Sequence, residues 1–155
     1  MSSTNDAILA RLQALEDKEA IRSVLNQYCI RPDEYDFTGY ANLYVENGTM
    51  GFEQWGDVTG KKAIADACAK EIVYEGLLHM MTNQEISIDG PDTASASARV
   101  FFIATPKLTA LEKHYAFGGP YKFTFVKVGG EWKIKNMKLK KTWSMGHDSE
   151  KVFVQ

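Results

Sequence analysis

Hydrophobic positions change period once along the chain. Over residues 5–31, Ile8, Leu12 and Leu15 recur at i, i+4 and i+7, and Ile21, Val24, Leu25 and Tyr28 continue at i, i+3, i+4 and i+7. That spacing predicts one long amphipathic helix. Asn5 or Asp6 is placed to cap its start. Pro32 disfavours α geometry at Arg31 and predicts the end of the helix there. A second helix is expected over 37–45, stopped by Asn47-Gly48, followed by a short strand over 49–55. A third helix is expected over 61–74, with Ile64, Cys68 and Ile72 on one side.

Beyond this point the period is 2, and strands are expected over 78–88, 94–105, 115–128 and 132–145. Ile86 and Ile88 alternate with Glu85 and Ser87, and Tyr121, Phe123 and Phe125 share a face. Asp89-Gly90-Pro91-Asp92 reads as a turn, 106–113 as a loop or short helix, and Gly129-Gly130 as a hairpin turn. In the last strand Trp132 and Ile134 keep one phase while Met137 and Leu139 keep the other. A slip of one residue turns every later side chain over unless a bulge absorbs it, which predicts a bulge near Asn136. The tail, 146–155, is expected to extend over a neighbour or to fray.

Helices followed by an antiparallel meander make an α+β class. The 155 residues suit a single domain over 1–155 with its core in 7–145, large enough to bury that core without staples. The net charge of −2 argues against a general nucleic-acid binder. No apolar run reaches the roughly 18 residues of a membrane span, and the polar, acidic start does not read as a secretory leader. Two cysteines, Cys29 and Cys68, do not suggest a disulfide framework, so reduced thiols and a cytoplasmic location are expected. Lys133, Lys135, Lys138 and Lys140 read as a solvated strand face, and Cys29 as core.

No phosphate-binding glycine loop, Cys-x-x-Cys or nucleophile elbow is present. His79, His114 and His147 lie far apart, without the spacing of a helical metal pair, so no metal is expected. The notable trio is Tyr28 near the end of the first helix, Asp33 just past it, and His79 at the start of the first long strand. Were helix end and strand start to meet at a cavity, the Asp33 carboxylate would hold the imidazole in one tautomer. The other ring nitrogen would then be a general base, and Tyr28 a hydrogen-bond donor to a developing oxyanion. Spacing alone also fits a satisfied buried histidine and a turn aspartate.

Longer segments resemble a known family. Ala20-Ile21, Tyr28, Asp33, Asp36-Phe37 and Leu43-Tyr44 match a pattern in which a long helix ends in tyrosine and aspartate. Gly60-Lys61-Lys62-Ala63-Ile64, His79-Met80-Met81-Thr82-Asn83 and Gly129-Gly130-Glu131-Trp132-Lys133-Ile134 match, in order, the start of a third helix, a histidine followed by Thr-Asn, and a closing hairpin. Together they resemble the SnoaL-like, scytalone-dehydratase-like group of the nuclear transport factor 2-like superfamily. The resemblance implies a cone-shaped barrel of curved, mostly antiparallel sheet wrapped around a pocket, with three N-terminal helices. It also implies an Asp–His pair at Asp33 and His79, as in scytalone dehydratase, bile-acid 7α-dehydratase and lindane dehydrochlorinase, with Tyr28 matching the tyrosine of the bile-acid enzyme. Such enzymes eliminate a leaving group without metal or organic cofactor. Met137 stands where lindane dehydrochlorinase has arginine and Tyr28 where it has lysine, which points away from halide elimination. His114 is the candidate for the second histidine of scytalone dehydratase, and Pro32 is unusual for the pattern.

The expected function is therefore a cofactor-independent dehydratase of a small hydroxylated carbonyl compound, such as a polyketide, steroid or aromatic metabolite. Tyr40, Phe52, Trp55, Asn83, Phe102, His114, Phe117 and Met137 are the candidate pocket residues. An isomerase or cyclase of the same substrates, or a non-catalytic small-molecule carrier, are the alternatives, since fold does not dictate function. A homodimer or homotrimer is expected, with no nucleic-acid or membrane partner.

Overall fold

The computed structural model describes residues 3–53 and 56–153. Helix α1 runs over Thr4–Asp33. Its start is a capping box: the Ser3 hydroxyl accepts from the Asp6 N–H and the Asp6 carboxylate accepts from the Ser3 N–H. Pro32 does not end it. A proline in the last turn removes a single main-chain donor, and the helix closes beyond it. The Asp36 N–H reaches the Arg31 carbonyl at 2.8 Å and the Tyr35 N–H the Pro32 carbonyl at 3.0 Å, with Tyr35 left-handed at φ 60°. The Tyr35 hydroxyl donates to the Tyr74 carbonyl and anchors this turn.

Ile21, Leu25, Tyr28 and Cys29 of α1 are buried, whereas Ile8, Leu12 and Leu15 stay largely exposed. The apolar stripe is continuous in sequence, but among the described residues no sheet covers its N-terminal half. At mid-helix, Asp17 accepts from Trp132 Nε1 at 2.9 Å and pairs with Lys127 at 2.7 Å. This fastens α1 to the last hairpin.

The second helix, α2, is shorter than expected, Phe37–Ala41. Strand β1 already begins at Tyr44 and spans Tyr44–Phe52, because the Leu43 carbonyl accepts from the distant Ile134 N–H and β1 then runs parallel to β6, Glu131–Leu139. Strand β2, Gly56–Thr59, pairs back on β1. Helix α3 covers Lys61–Cys68 and tightens into a 3₁₀ turn, Ala69–Val73, instead of continuing to residue 74. Strands β3 (Gly76–Gly90), β4 (Thr93–Thr105) and β5 (Tyr115–Val128) form the meander. The expected last strand is divided: β6 stops at Leu139, and β7, Trp143–Gly146, pairs with β5.

The sheet order is β2-β1-β6-β5-β4-β3, curled around the core without closing. Its inner face is built by strict alternation in β4, where Ala94, Ala96, Ala98, Val100, Phe102 and Ala104 are all buried. The bulge expected near Asn136 lies one residue earlier. Thr124 faces Asn136 and Phe125 faces Ile134, so Lys135 is the extra residue. It allows Trp132, Ile134, Met137 and Leu139 all to be buried despite their change of phase. A second bulge sits in β3 between Thr82 and Glu85, with Asn83 left-handed at φ 53°. None of the described helices is long and apolar enough to cross a membrane.

Candidate active site

Asp33, the last residue of α1, meets His79 on β3. One carboxylate oxygen lies 2.6 Å from His79 Nδ1, and the His79 main-chain N–H donates to the same carboxylate at 2.9 Å. With Nδ1 donating to Asp33, Nε2 is the nitrogen left to take a proton. The histidine side chain is 9% exposed and forms part of the wall of a cavity of about 590 Å³. That volume falls within the range of pockets that enclose drug-sized molecules.

Strand register explains the wall. His79 faces Phe102 across β3 and β4, and Phe102 faces Phe117 across β4 and β5, so the three form one row on the inner face. The His79 and Phe102 rings are 4.4 Å apart. Tyr28, Tyr40 and Phe52 also line the cavity. Behind them is a cluster of buried tyrosines. The Tyr28 hydroxyl donates to the Tyr121 oxygen at 3.3 Å, and the Tyr40 and Tyr44 hydroxyls are 3.4 Å apart. Burial pushes the hydroxyls of Tyr28, Tyr40, Tyr44 and Tyr121 up, so all four remain protonated donors. Tyr28 thus spends its proton on Tyr121, which lines the cavity too.

Several sequence candidates lie elsewhere. Asn83 is exposed at the β3 bulge, and His114 sits before β5 with its Nδ1 against the Leu111 carbonyl. Neither lines the cavity. Met137 is buried in the core without reaching the cavity. Trp55 lies outside the described residues. Cys29 is buried in the core, its thiol pushed up to about 12 by burial and the nearby Asp33 charge.

Three contributors escaped the sequence reading: Tyr121, Glu71 and the tail. The described part of the tail, 146–153, folds back against the body of the domain. Asp148 is buried, accepts from the Tyr74 hydroxyl and takes the Phe153 N–H at 2.7 Å. Phe153 stacks on Tyr74, packs against Phe102 and Phe117, and with Val152 closes one side of the cavity. Glu71 follows Cys68 by three residues. Had the α-helix continued, Ile72 would have followed on the buried side, but the 3₁₀ turn has three residues per turn and brings Glu71 inward. Ile72 is 61% exposed.

Comparison with solved structures places this architecture. A proposed scytalone dehydratase from Novosphingobium aromaticivorans is 24% identical, over 86% of this chain and 89% of its own, with a TM-score of 0.78. An NTF2-like protein with a cystatin-like fold from the same organism is 22% identical over 100% of this chain and 99% of its own, with a TM-score of 0.75. A hexachlorocyclohexane dehydrochlorinase from Novosphingobium barchaimii is 14% identical over 90% of this chain and 95% of its own, with a TM-score of 0.77. At such identities the likeness establishes the fold, which is NTF2-like. Comparison with curated proteins finds no match. The profile of the SnoaL-like domain matches residues 13–138, from mid-α1 to the end of β6, and the chain therefore belongs to the SnoaL-like domain family.

Proposed function

We propose that the protein is a cofactor-independent lyase that dehydrates a small hydroxylated carbonyl compound. The observation that carries this reading is the Asp33–His79 pair, joined at 2.6 Å on the wall of a cavity of about 590 Å³. In this reading His79 Nε2 removes the proton α to the carbonyl, or vinylogous to it, and Asp33 orients the ring and stabilises the cation that forms. The tyrosine cluster, with Tyr28 acting through Tyr121, donates to the oxygen on which enolate charge develops. The departing hydroxyl takes up a proton and leaves as water. Phe52, Phe102, Phe117 and Phe153 give the cavity aromatic walls that suit the flat apolar body of a polyketide, steroid or aromatic metabolite. Two of the fold neighbours carry names that denote eliminations, a dehydration and a dehydrochlorination, which supports the same reaction class.

The test is a screen of β-hydroxy ketones and β-hydroxy thioesters, with product mass as the readout. Loss of water by the wild type, and near-total loss of turnover in His79→Ala, is the expected result. A His79→Ala variant that keeps most of its activity would sink the assignment. A product of unchanged mass would replace the lyase with an isomerase or cyclase, and a ligand bound but never consumed would make the protein a carrier.

We further propose self-association through the outer face of the sheet. Leu78 and Met80 point away from the cavity, opposite in phase to His79, and with Met145 they are 41–53% exposed. Sedimentation should show a dimer or trimer; a monomer at micromolar concentration would refute it.

A further inference from the structure

Among the charged groups that line the cavity besides His79, Lys70, Glu150 and Lys151 are exposed, whereas Glu71 is set into the wall and has no task in the scheme above. Glu71, on the 3₁₀ turn, lines the cavity together with His79. Its Oε2 is enclosed and, among the described residues, is the buried side-chain oxygen left without a hydrogen-bond partner. The carboxylates of Asp33, Asp36 and Asp148 differ: each accepts a main-chain N–H. A carboxylate kept for structure is normally satisfied in this way, because an unpaired buried charge is costly.

The surroundings of Glu71 favour its neutral acid form. Burial pushes its carboxyl up to about 7, the Asp33 charge adds to that rise, and the neighbouring His79 works against it. Cys68 on α3 and Tyr121 on β5 also feel its charge, and burial keeps both of them protonated. Two titratable groups with different environments, facing one cavity, are the usual arrangement for dividing acid and base work.

We propose that Glu71 is the acid partner of His79, protonating the leaving hydroxyl while His79 takes the proton from carbon. This rests on the lyase reading of the same cavity. The C–H bond breaks, its proton goes to His79 Nε2, and its electron pair becomes the new C=C bond. The C–O bond breaks with its pair on oxygen, which takes the Glu71 proton and leaves as water. Imidazolium and carboxylate then exchange the remaining proton, and both groups return to their starting state. A single nitrogen doing both tasks requires hydrogen and hydroxyl to leave within its own reach. A second group on a separate element lifts that requirement.

The test uses two matched probes, the aldol adduct of acetone with benzaldehyde and the acetate ester of that adduct. Both eliminate to the same conjugated ketone, followed by its ultraviolet absorbance. Hydroxide needs a proton to depart, whereas acetate leaves without one. Glu71→Gln should lower kcat on the hydroxy probe about 100-fold and leave the acetoxy probe within about threefold, as removal of a general acid predicts. His79→Ala should lower both. Equal losses on the two probes in Glu71→Gln, or no loss on the hydroxy probe, would overturn the acid role while leaving the lyase reading intact. A wild type that eliminates neither probe would instead overturn the lyase reading. Infrared titration supplies a readout independent of turnover. A protonated carboxyl band, missing in Glu71→Gln, should disappear as the pH passes about 7. A wild type without that band at mildly acid pH also overturns the proposal.

Discussion

Asp33 grips His79 twice, by the main-chain N–H at 2.9 Å and by ring Nδ1 at 2.6 Å. The first bond sets where β3 starts relative to the end of α1, and the second sets the ring's tautomer. Asp33→Asn should separate the two. The amide oxygen can still accept the main-chain N–H, so the fold should persist, but the charge that stabilises the imidazolium is gone. We expect kcat on a β-hydroxy ketone to fall about 10³-fold or more. Asp33→Ala should in addition lose about 1–3 kcal/mol, the cost of leaving the buried donors unpaired, read from urea unfolding. An Asn variant with wild-type turnover would show that the pair is structural.

Glu71 ties stability to pH. Its folded value of about 7 lies above its ordinary 4.5, so between these values the native state holds a proton that the unfolded chain has released. Stability therefore falls as pH rises through this window and is level above it, by about 3 kcal/mol in all. Glu71→Gln, which cannot ionise, should flatten this part of the profile. It should make the protein more stable than wild type at pH 8, by up to about 3 kcal/mol. Denaturation midpoints of both proteins across the window check the claim, and parallel curves would refute it.

Much of this architecture was legible, and the failures have identifiable causes. The long helix, the meander and the Lys135 bulge follow from periods that the core enforces locally. The end of α2 was not legible, because Leu43 is drawn into pairing with Ile134, about ninety residues away. Glu71 was hidden by a change of helix type, which no apolar spacing announces. The β3 bulge was legible but overlooked. Leu77, His79 and Met81 keep odd phase, while Ile86 and Ile88 keep even phase, and both sets are the partly buried ones. The Asp33–His79 meeting needed the family resemblance, since helix end and strand start are 46 residues apart.

The tyrosine cluster allows a test of who touches the substrate. The Tyr28 hydroxyl donates to Tyr121, so Tyr28→Phe removes a bond within the cluster, at about 1 kcal/mol of stability. Tyr121→Phe removes the hydroxyl that accepts from Tyr28 and lines the cavity. Loss of a direct oxyanion donor costs about 10²–10³ in kcat. We therefore expect Tyr121→Phe to lose the larger factor and Tyr28→Phe a smaller one. The reverse order would return the direct role to Tyr28.

Asn83 lies outside the cavity yet decides which way His79 points. As the left-handed residue of the β3 bulge, it permits odd positions before it and even positions after it to share the inner face. Deleting it restores simple alternation, and the strand must then give up one set. If the first half turns over, His79 leaves Asp33 and activity is lost with it. If the second half turns over, Ile86 and Ile88 face solvent at a cost of about 3 kcal/mol, given about 1.5–3 for each fully buried side chain. Asn83→Gly keeps the bulge and tolerates positive φ, so it should remain within about 1 kcal/mol of wild type. Asn83→Val resists that conformation and should lose about 1–2 kcal/mol. Urea midpoints, combined with hydrogen exchange at the His79 amide that Asp33 protects, separate these outcomes. A deletion variant as stable as wild type, with that amide still protected, would show that the bulge has no part in aiming the histidine.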